Sequence, residues 1–224
     1  MELIVHEDST ARDLAVAKII AQLIGESDGF TFGLAGGSTP RGIYERLRGM
    51  AVGWEKVDAF LGDERWVAPD DDRSNGRMAE EALFAHVPAR LHRPRYSEYL
   101  TPDDSASYYE ADLRSFINGG PDLMLLGMGP DRHTASLFPG SPALEEEKRW
   151  FVANPIDSEV RLTTTLPFLR GAKRLMFVAN GDDKAEALAD VFTSGSDAPS
   201  AQAARGDAIV EWHVDDTAAR LVES

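Results

Sequence analysis

Phe30-Thr31-Phe32-Gly33-Leu34-Ala35-Gly36-Gly37-Ser38-Thr39-Pro40 is the stretch on which the fold turns. A short apolar run ends in paired glycines, then in hydroxyl residues and a proline. Val57–Leu61 runs into Gly62, Leu123–Leu126 into Gly127, and Leu175–Ala179 into Asn180-Gly181 in the same manner. Apolar runs of this length bounded by glycine read as strands buried on both faces of a parallel sheet. Helical spacing lies between them. Residues 10–24 put Leu14, Ala17, Ala21 and Ile24 on one stripe, residues 40–48 do so with Ile43, Tyr44 and Leu47, and residues 183–192 with Leu188, Val191 and Phe192. Glu2–His6, Trp150–Ala153 and Ala208–Trp212 read as further strands; the first leads to a helix opened by Ser9 or Thr10, the last to one from about Asp215. Alternating strand and helix predict an α/β fold with a mainly parallel sheet. The stretches at 67–75 and 101–104 read as loops too short to link domains, and 194–207 as a mobile loop. One domain over 1–224 is expected.

Composition narrows the function. The chain has 224 residues, 43% apolar and 27% charged, which is too apolar for disorder and ample for a core. With no cysteine it has no disulfide, thiolate nucleophile, zinc finger or iron–sulfur cluster. No run nears the ~18 apolar residues of a membrane span, and Leu3-Ile4-Val5 is too short for a signal sequence core, so a soluble cytoplasmic protein is expected. The net charge of −15 repels nucleic acid and anionic lipid. An anionic ligand would require basic residues to converge locally against that field.

Ligands of open α/β sheets bind at the carboxyl ends of the strands. There the sequence places Ser38-Thr39, Asp63-Glu64-Arg65, Asp131-Arg132-His133 and Asp182-Asp183-Lys184. Gly36 and Gly37 permit close backbone approach; Ser38 or Thr39 can cap a helix, and Pro40 suits its first turn. This is either an ordinary capped helix start or an anion pocket made of N–H groups, helix dipole and two hydroxyls. No Gly-Lys-Ser/Thr follows, so it is not a P-loop, and the Gly-x-Ser-x-Gly elbow is missing. Gly127-Met128-Gly129-Pro130-Asp131-Arg132 fails as a dinucleotide fingerprint, because Arg132 replaces the third glycine and Pro130 spoils the turn. His133, just past a strand and two positions after Asp131, suits a general base near neutral pH. His6, His86, His92 and His213 read as structural. Metal binding has little support: no histidines lie at i, i+4, and Asp70-Asp71-Asp72 and Glu145-Glu146-Glu147 read as solvated surface.

Together these segments resemble the 6-phosphogluconolactonase family, in the superfamily that also holds glucosamine-6-phosphate deaminases. The match runs through Gly36–Pro40 with Tyr44 and Leu47, Gly62–Val67 with Ser74-Asn75 and Arg77-Met78, and Gly127–Gly140. It continues through Arg161-Leu162-Thr163 with Leu166-Pro167, then Gly181–Ala185. The blocks stand in family order from residue 36 to 187. The resemblance implies an open, mainly parallel twisted sheet with helices on both faces, Rossmann-like, and hydrolysis of 6-phospho-D-glucono-1,5-lactone in the oxidative pentose phosphate pathway. It implies that Gly37, Ser38 and Thr39 cradle the sugar phosphate with Arg161 and Lys184 as cationic partners. His133 resembles the general base, and Asp63 and Arg65 line the lactone end; Arg65, Arg161 and Lys184 would then form the local basic pocket. No cofactor or metal is implied, and the expected partner is a small phosphosugar lactone met by a monomer or weak homo-oligomer.

Arg132 departs from the pattern, since family members usually carry glycine there. A positive φ would make arginine costly by roughly 1–2 kcal/mol. Two rival functions have signatures of their own. An amino-sugar-phosphate deaminase/isomerase would carry an Asp-Glu-Tyr-like segment in place of Asp63–Trp66, and Ile-Ala-Phe-Asn-Glu in place of Thr134–Phe138. A non-catalytic phosphosugar sensor would need a DNA-binding module and a basic surface. Both fit the sequence less well than the lactonase.

Overall fold

The computed structural model describes residues 1–222. In chain order the regular elements are β1 (Glu2–His6), α1 (Ser9–Gly25), β2 (Phe30–Leu34), α2 (Ser38–Leu47), β3 (Val57–Leu61), β4 (Asp63–Arg65) and α3 (Asn75–Ala82). There follow β5 (Arg90–His92), α4 (Pro102–Phe116), β6 (Leu123–Gly127), β7 (Phe151–Ile156), β8 (Glu159–Thr164) and α5 (Leu166–Arg170). Last come β9 (Arg174–Ala179), α6 (Ala185–Phe192), α7 (Pro199–Ala203), β10 (Ile209–Asp215) and α8 (Asp216–Ala219).

Seven strands form one parallel sheet in the order β1-β10-β9-β6-β2-β3-β5. Both faces are covered, and neighbouring residues of one strand serve opposite cores. Leu123 and Leu125 pack with α1, α2 and α3, while Met124 and Leu126 pack with α4, α5 and α6. That is why these runs are continuously apolar rather than alternating. Phe177 stacks on Trp212 across β9 and β10 with centroids 4.0 Å apart. From β2 the chain builds outward through β3 and β5; from β6 it builds the other way. The β2/β6 boundary is thus the topological switch point, where a crevice opens at the strand ends.

A second, antiparallel sheet, β4-β8-β7, stands beside this crevice. The strand read at Trp150–Ala153 belongs to it as β7, and β4 extends directly from the end of β3. In this way Asp63 and Arg65 leave the main sheet yet stay at its edge.

Several sequence expectations need correction. In α1, Leu14 is 39% exposed, whereas Arg12 and Asp13 are buried with Val16, Ala17, Ile20 and Ile24. The two charges neutralise each other in the core, which an apolar count does not detect. Asp8 caps α1, through Oδ1 accepting from the Ala11 amide at 2.7 Å. The stretch 101–104 is a helix start, with Thr101 capping and Pro102 in the first turn of α4. Within 194–207, α7 is regular and packs Ala203 into the core.

Candidate active site

The loops after β2, β3, β6 and β9 converge on one cavity of about 370 Å³. Gly36, Gly37, Ser38, Thr39, Asp63, Arg65, His133, Arg161 and Lys184 all line it. Asp131 does not line it but lies directly behind His133.

At one side stands the N-terminus of α2. Gly37 is its cap, with φ 93° and ψ −179°, a conformation essentially restricted to glycine. No side chain caps this helix. The expected capping by Ser38 or Thr39 is therefore replaced by backbone geometry, and both residues belong to the first turn. Their N–H groups have no carbonyl within the helix to bond, and the dipole favours an anion there. Pro40 has no N–H to leave unpaired. Tyr44, wholly buried, donates to the Ala35 carbonyl at 2.9 Å and fixes the loop to its own helix.

Arg65 on β4 lies directly opposite Arg161 on β8 in the antiparallel register. Like charges so placed repel, and each arginine has a buried Nε with no protein hydrogen-bond partner. Arg65 Nη1 donates to the Arg73 carbonyl at 2.5 Å, and Arg161 Nη2 pairs with Glu159 at 2.9 Å. Lys184, mostly buried, pairs at 2.8 Å with the exposed Asp183. That hydrogen bond holds the Asp183 carboxyl below its ordinary range. Arg65, Arg161 and Lys184 thus form a local basic face on the cavity in a chain of charge −15.

His133 is presented by a tight turn after β6. The Gly129 amide donates to the His133 carbonyl at 3.0 Å, and the Arg132 amide to the Gly129 carbonyl at 2.9 Å. A Cβ on Gly129 would fall 2.2 Å from His133 Nδ1, so only glycine permits this approach. The ring packs against Phe138 at 4.4 Å between centroids. Nδ1 lies 2.5 Å from Asp131 Oδ1. With Nδ1–H donating to that carboxylate, Nε2 keeps its lone pair, the form a general base needs. Arg132 has φ 70°. Its side chain pairs with Asp190 on α6 at 2.9 Å and does not line the cavity.

Asp63 is buried: Oδ2 accepts from Ser136 Oγ at 2.6 Å, and Oδ1 from Asn75 Nδ2 at 3.2 Å. It ties the His133 loop to α3. Glu64 behind it accepts from Ser74 Oγ and from the amides of Arg65, Asn75 and Gly76, all within 2.9 Å. Burial pushes the Glu64 carboxyl upward, against the pull of those four hydrogen bonds. Nothing in the sequence singles out Asn75 and Ser136 as site residues. The segments containing them carried the resemblance, but neither residue type signals a buried carboxylate partner. Among the described residues no group of three or more His, Asp and Glu side chains could hold a metal ion.

Fold and site define a doubly wound α/β protein with an anion-suited cavity at its switch point, facing a histidine–carboxylate pair. The model of the glucosamine-6-phosphate isomerases/6-phosphogluconolactonase family matches residues 7–212. A 6-phosphogluconolactonase of Nostoc is 40% identical over 75% of this chain and 73% of its own. One from Synechocystis is 38% identical over 82% of this chain and 80% of its own. The crystal structure of 6-phosphogluconolactonase from Thermotoga maritima superposes with a TM-score of 0.84 at 29% identity, covering 96% of this chain and 99% of that one. The chain belongs to the glucosamine-6-phosphate isomerase/6-phosphogluconolactonase family.

Proposed function

We propose that this protein hydrolyses 6-phospho-D-glucono-1,5-lactone to 6-phospho-D-gluconate in the oxidative pentose phosphate pathway. One observation carries the chemistry: His133, with Nδ1 held by Asp131, lines the same cavity as the α2 N-terminus, Arg161 and Lys184. The substrate's phosphate sits on the amides of Gly37, Ser38 and Thr39, with Arg161 and Lys184 beside it. Phosphate anchoring fixes the lactone ring relative to the base.

His133 Nε2 takes a proton from water as the water oxygen attacks the lactone carbonyl. The carbonyl π pair moves onto oxygen, giving an oxyanion for which Arg65 or backbone N–H groups are the candidate donors. Collapse re-forms the carbonyl and breaks the ring C–O bond. The leaving alkoxide takes the proton from the His133 imidazolium, and the new carboxylic acid loses its own proton to solvent. Asp131 orients the imidazole and stabilises its cation. Asp63, whose oxygens accept from Ser136 and Asn75, holds these two residues in place at the lactone end of the cavity. Neither a cysteine nor a serine elbow is present to form an acyl-enzyme, which favours direct attack by water. No cofactor takes part.

The chain works as one α/β domain, as a monomer or weak homo-oligomer in the cytoplasm; among the described residues no helix is long and apolar enough to cross a membrane. The test is lactone hydrolysis above the spontaneous rate in the presence of EDTA, with glucosamine 6-phosphate as the competing substrate. Ammonia release from the amino sugar without lactone turnover would transfer the assignment to the deaminase branch.

A further inference from the structure

Arg12 is the largest charged side chain in the core, 1% exposed, and it lies outside the cavity. Its guanidinium has partners on several elements. Nη1 donates to the carbonyl of Ala179, at the end of β9, and to Asn180 Oδ1, both at 3.0 Å. Nε and Nη2 donate to Asp13 Oδ1 at 3.1 and 2.6 Å. Asp13 in turn rests on α2. A Cβ on Gly42 would fall 2.2 Å from Asp13 Oδ2, so the helix approaches the carboxylate closely only because residue 42 is glycine. Asn180 Oδ1 also accepts from Thr39 Oγ1 at 3.0 Å.

A guanidinium has donors and no acceptor. Arg12 therefore fixes the Asn180 amide with its oxygen toward itself and toward Thr39, and the Thr39 hydroxyl must donate to that oxygen. The Thr39 side chain is thereby locked, and the first turn of α2 is tied to the turn that carries Lys184. We infer that Arg12 is a positioning residue for phosphosugar binding, acting through Asn180 to hold Thr39 and the Lys184 turn in register. This rests on the phosphate-site assignment made above. It also assigns the work at Thr39 to the backbone N–H, because the hydroxyl proton is spent on Asn180. The His133 loop has no bond to this network, so binding and chemistry should separate.

The test uses Asn180→Ala, which removes the link with no change of charge, and Arg12→Lys, which keeps the charge beside Asp13 but cannot span two acceptors in a fixed fork. Each variant and the double variant are assayed for kcat and KM on the phosphorylated lactone. Each is also titrated with inorganic phosphate by calorimetry, which does not depend on turnover. We expect each single change to weaken phosphate binding and raise KM about tenfold, the scale of one to two lost hydrogen bonds, with kcat within twofold. The double variant should be no worse than the weaker single, since both cut one path. Unchanged phosphate affinity in folded variants, a fall in kcat with KM unmoved, or effects that multiply in the double variant would overturn the inference. If Arg12→Lys does not fold, Arg12→Gln takes its place, while Asn180→Ala tests the link to Thr39. Should the wild type bind phosphate but leave the lactone untouched, the functional reading fails while the positioning role is still judged by the titration.

Discussion

Arg132→Gly restores the residue that the family pattern leads one to expect, and its outcome can be worked from the structure. Arg132 sits at φ 70°, so glycine relieves roughly 1–2 kcal/mol of left-handed strain. Against this, glycine costs about 0.5–1 kcal/mol in unfolded-chain entropy. The ion pair with Asp190 is lost too, but both partners are nearly half exposed, so it contributes only about 0.2–1 kcal/mol. The contributions cancel to within about 1 kcal/mol, and Tm should stay within roughly 4 °C of wild type. Arg132→Ala keeps the strain and loses the pair, so it should melt roughly 2–3 °C below Arg132→Gly. Activity should be unchanged or slightly better, because the guanidinium points to α6 and does not line the cavity. The assay is lactone hydrolysis beside a thermal melt of each variant. A loss in kcat/KM beyond about tenfold, or about 1.4 kcal/mol, would show the guanidinium working at the site. An alanine variant as stable as the glycine one would refute the strain argument.

Other changes probe the histidine–carboxylate pair, the basic pocket and the buried histidine pair. Asp131→Asn leaves an amide that can donate to His133 Nδ1 and so favours the tautomer protonated at Nε2; kcat should fall by about 10²-fold with KM little changed, as steady-state kinetics would read. Arg161→Ala and Lys184→Ala should each weaken competition by inorganic phosphate by roughly 1.5–3 kcal/mol, and unphosphorylated gluconolactone should be a poor wild-type substrate; comparable kcat/KM for the two lactones would place the anion elsewhere. His213 is buried at the β1 edge against His6, and burial lowers its pKa to about 4. Its unfolded value near 6.5 is higher, so between these values the unfolded chain binds more protons and stability falls as pH falls. Urea unfolding at pH 7.5 and 5 should show a contribution of about 2 kcal/mol lost on acidification, and His213→Gln should lose most of that dependence.

What was legible in the sequence follows from burial. Runs such as Leu123–Leu126 stand out because both faces of their strands are covered, and the glycines after them mark the crevice. β4 and β5 could not be read that way: Asp63–Arg65 and Arg90–His92 are short and charged, and only pairing with β8 and β3 makes them strands. The convergence of Arg65 with Arg161 is a matter of that register and was reached from sequence through the family resemblance alone. Arg12 gives no signal in the sequence, because a helix stripe shows in apolar residues, whereas here an arginine and its neighbouring aspartate occupy the core as a pair. The helix start at Ser38-Thr39 is legible from its glycines and proline, but the cap is Gly37 rather than a hydroxyl side chain. Asn75 and Ser136 reach the cavity wall and Asp63 only through contacts between distant loops.

In the proposed reaction His133 draws a proton from water to open a phosphosugar lactone. The most direct measurement is kcat for freshly made 6-phospho-D-glucono-1,5-lactone, corrected for spontaneous hydrolysis, in wild type and in a folded His133→Asn variant. A fall of roughly 10²–10⁴-fold is expected, with phosphate affinity unchanged because those contacts lie on other loops. A folded variant that retains most of the wild-type kcat would contradict it and leave His133 a structural residue.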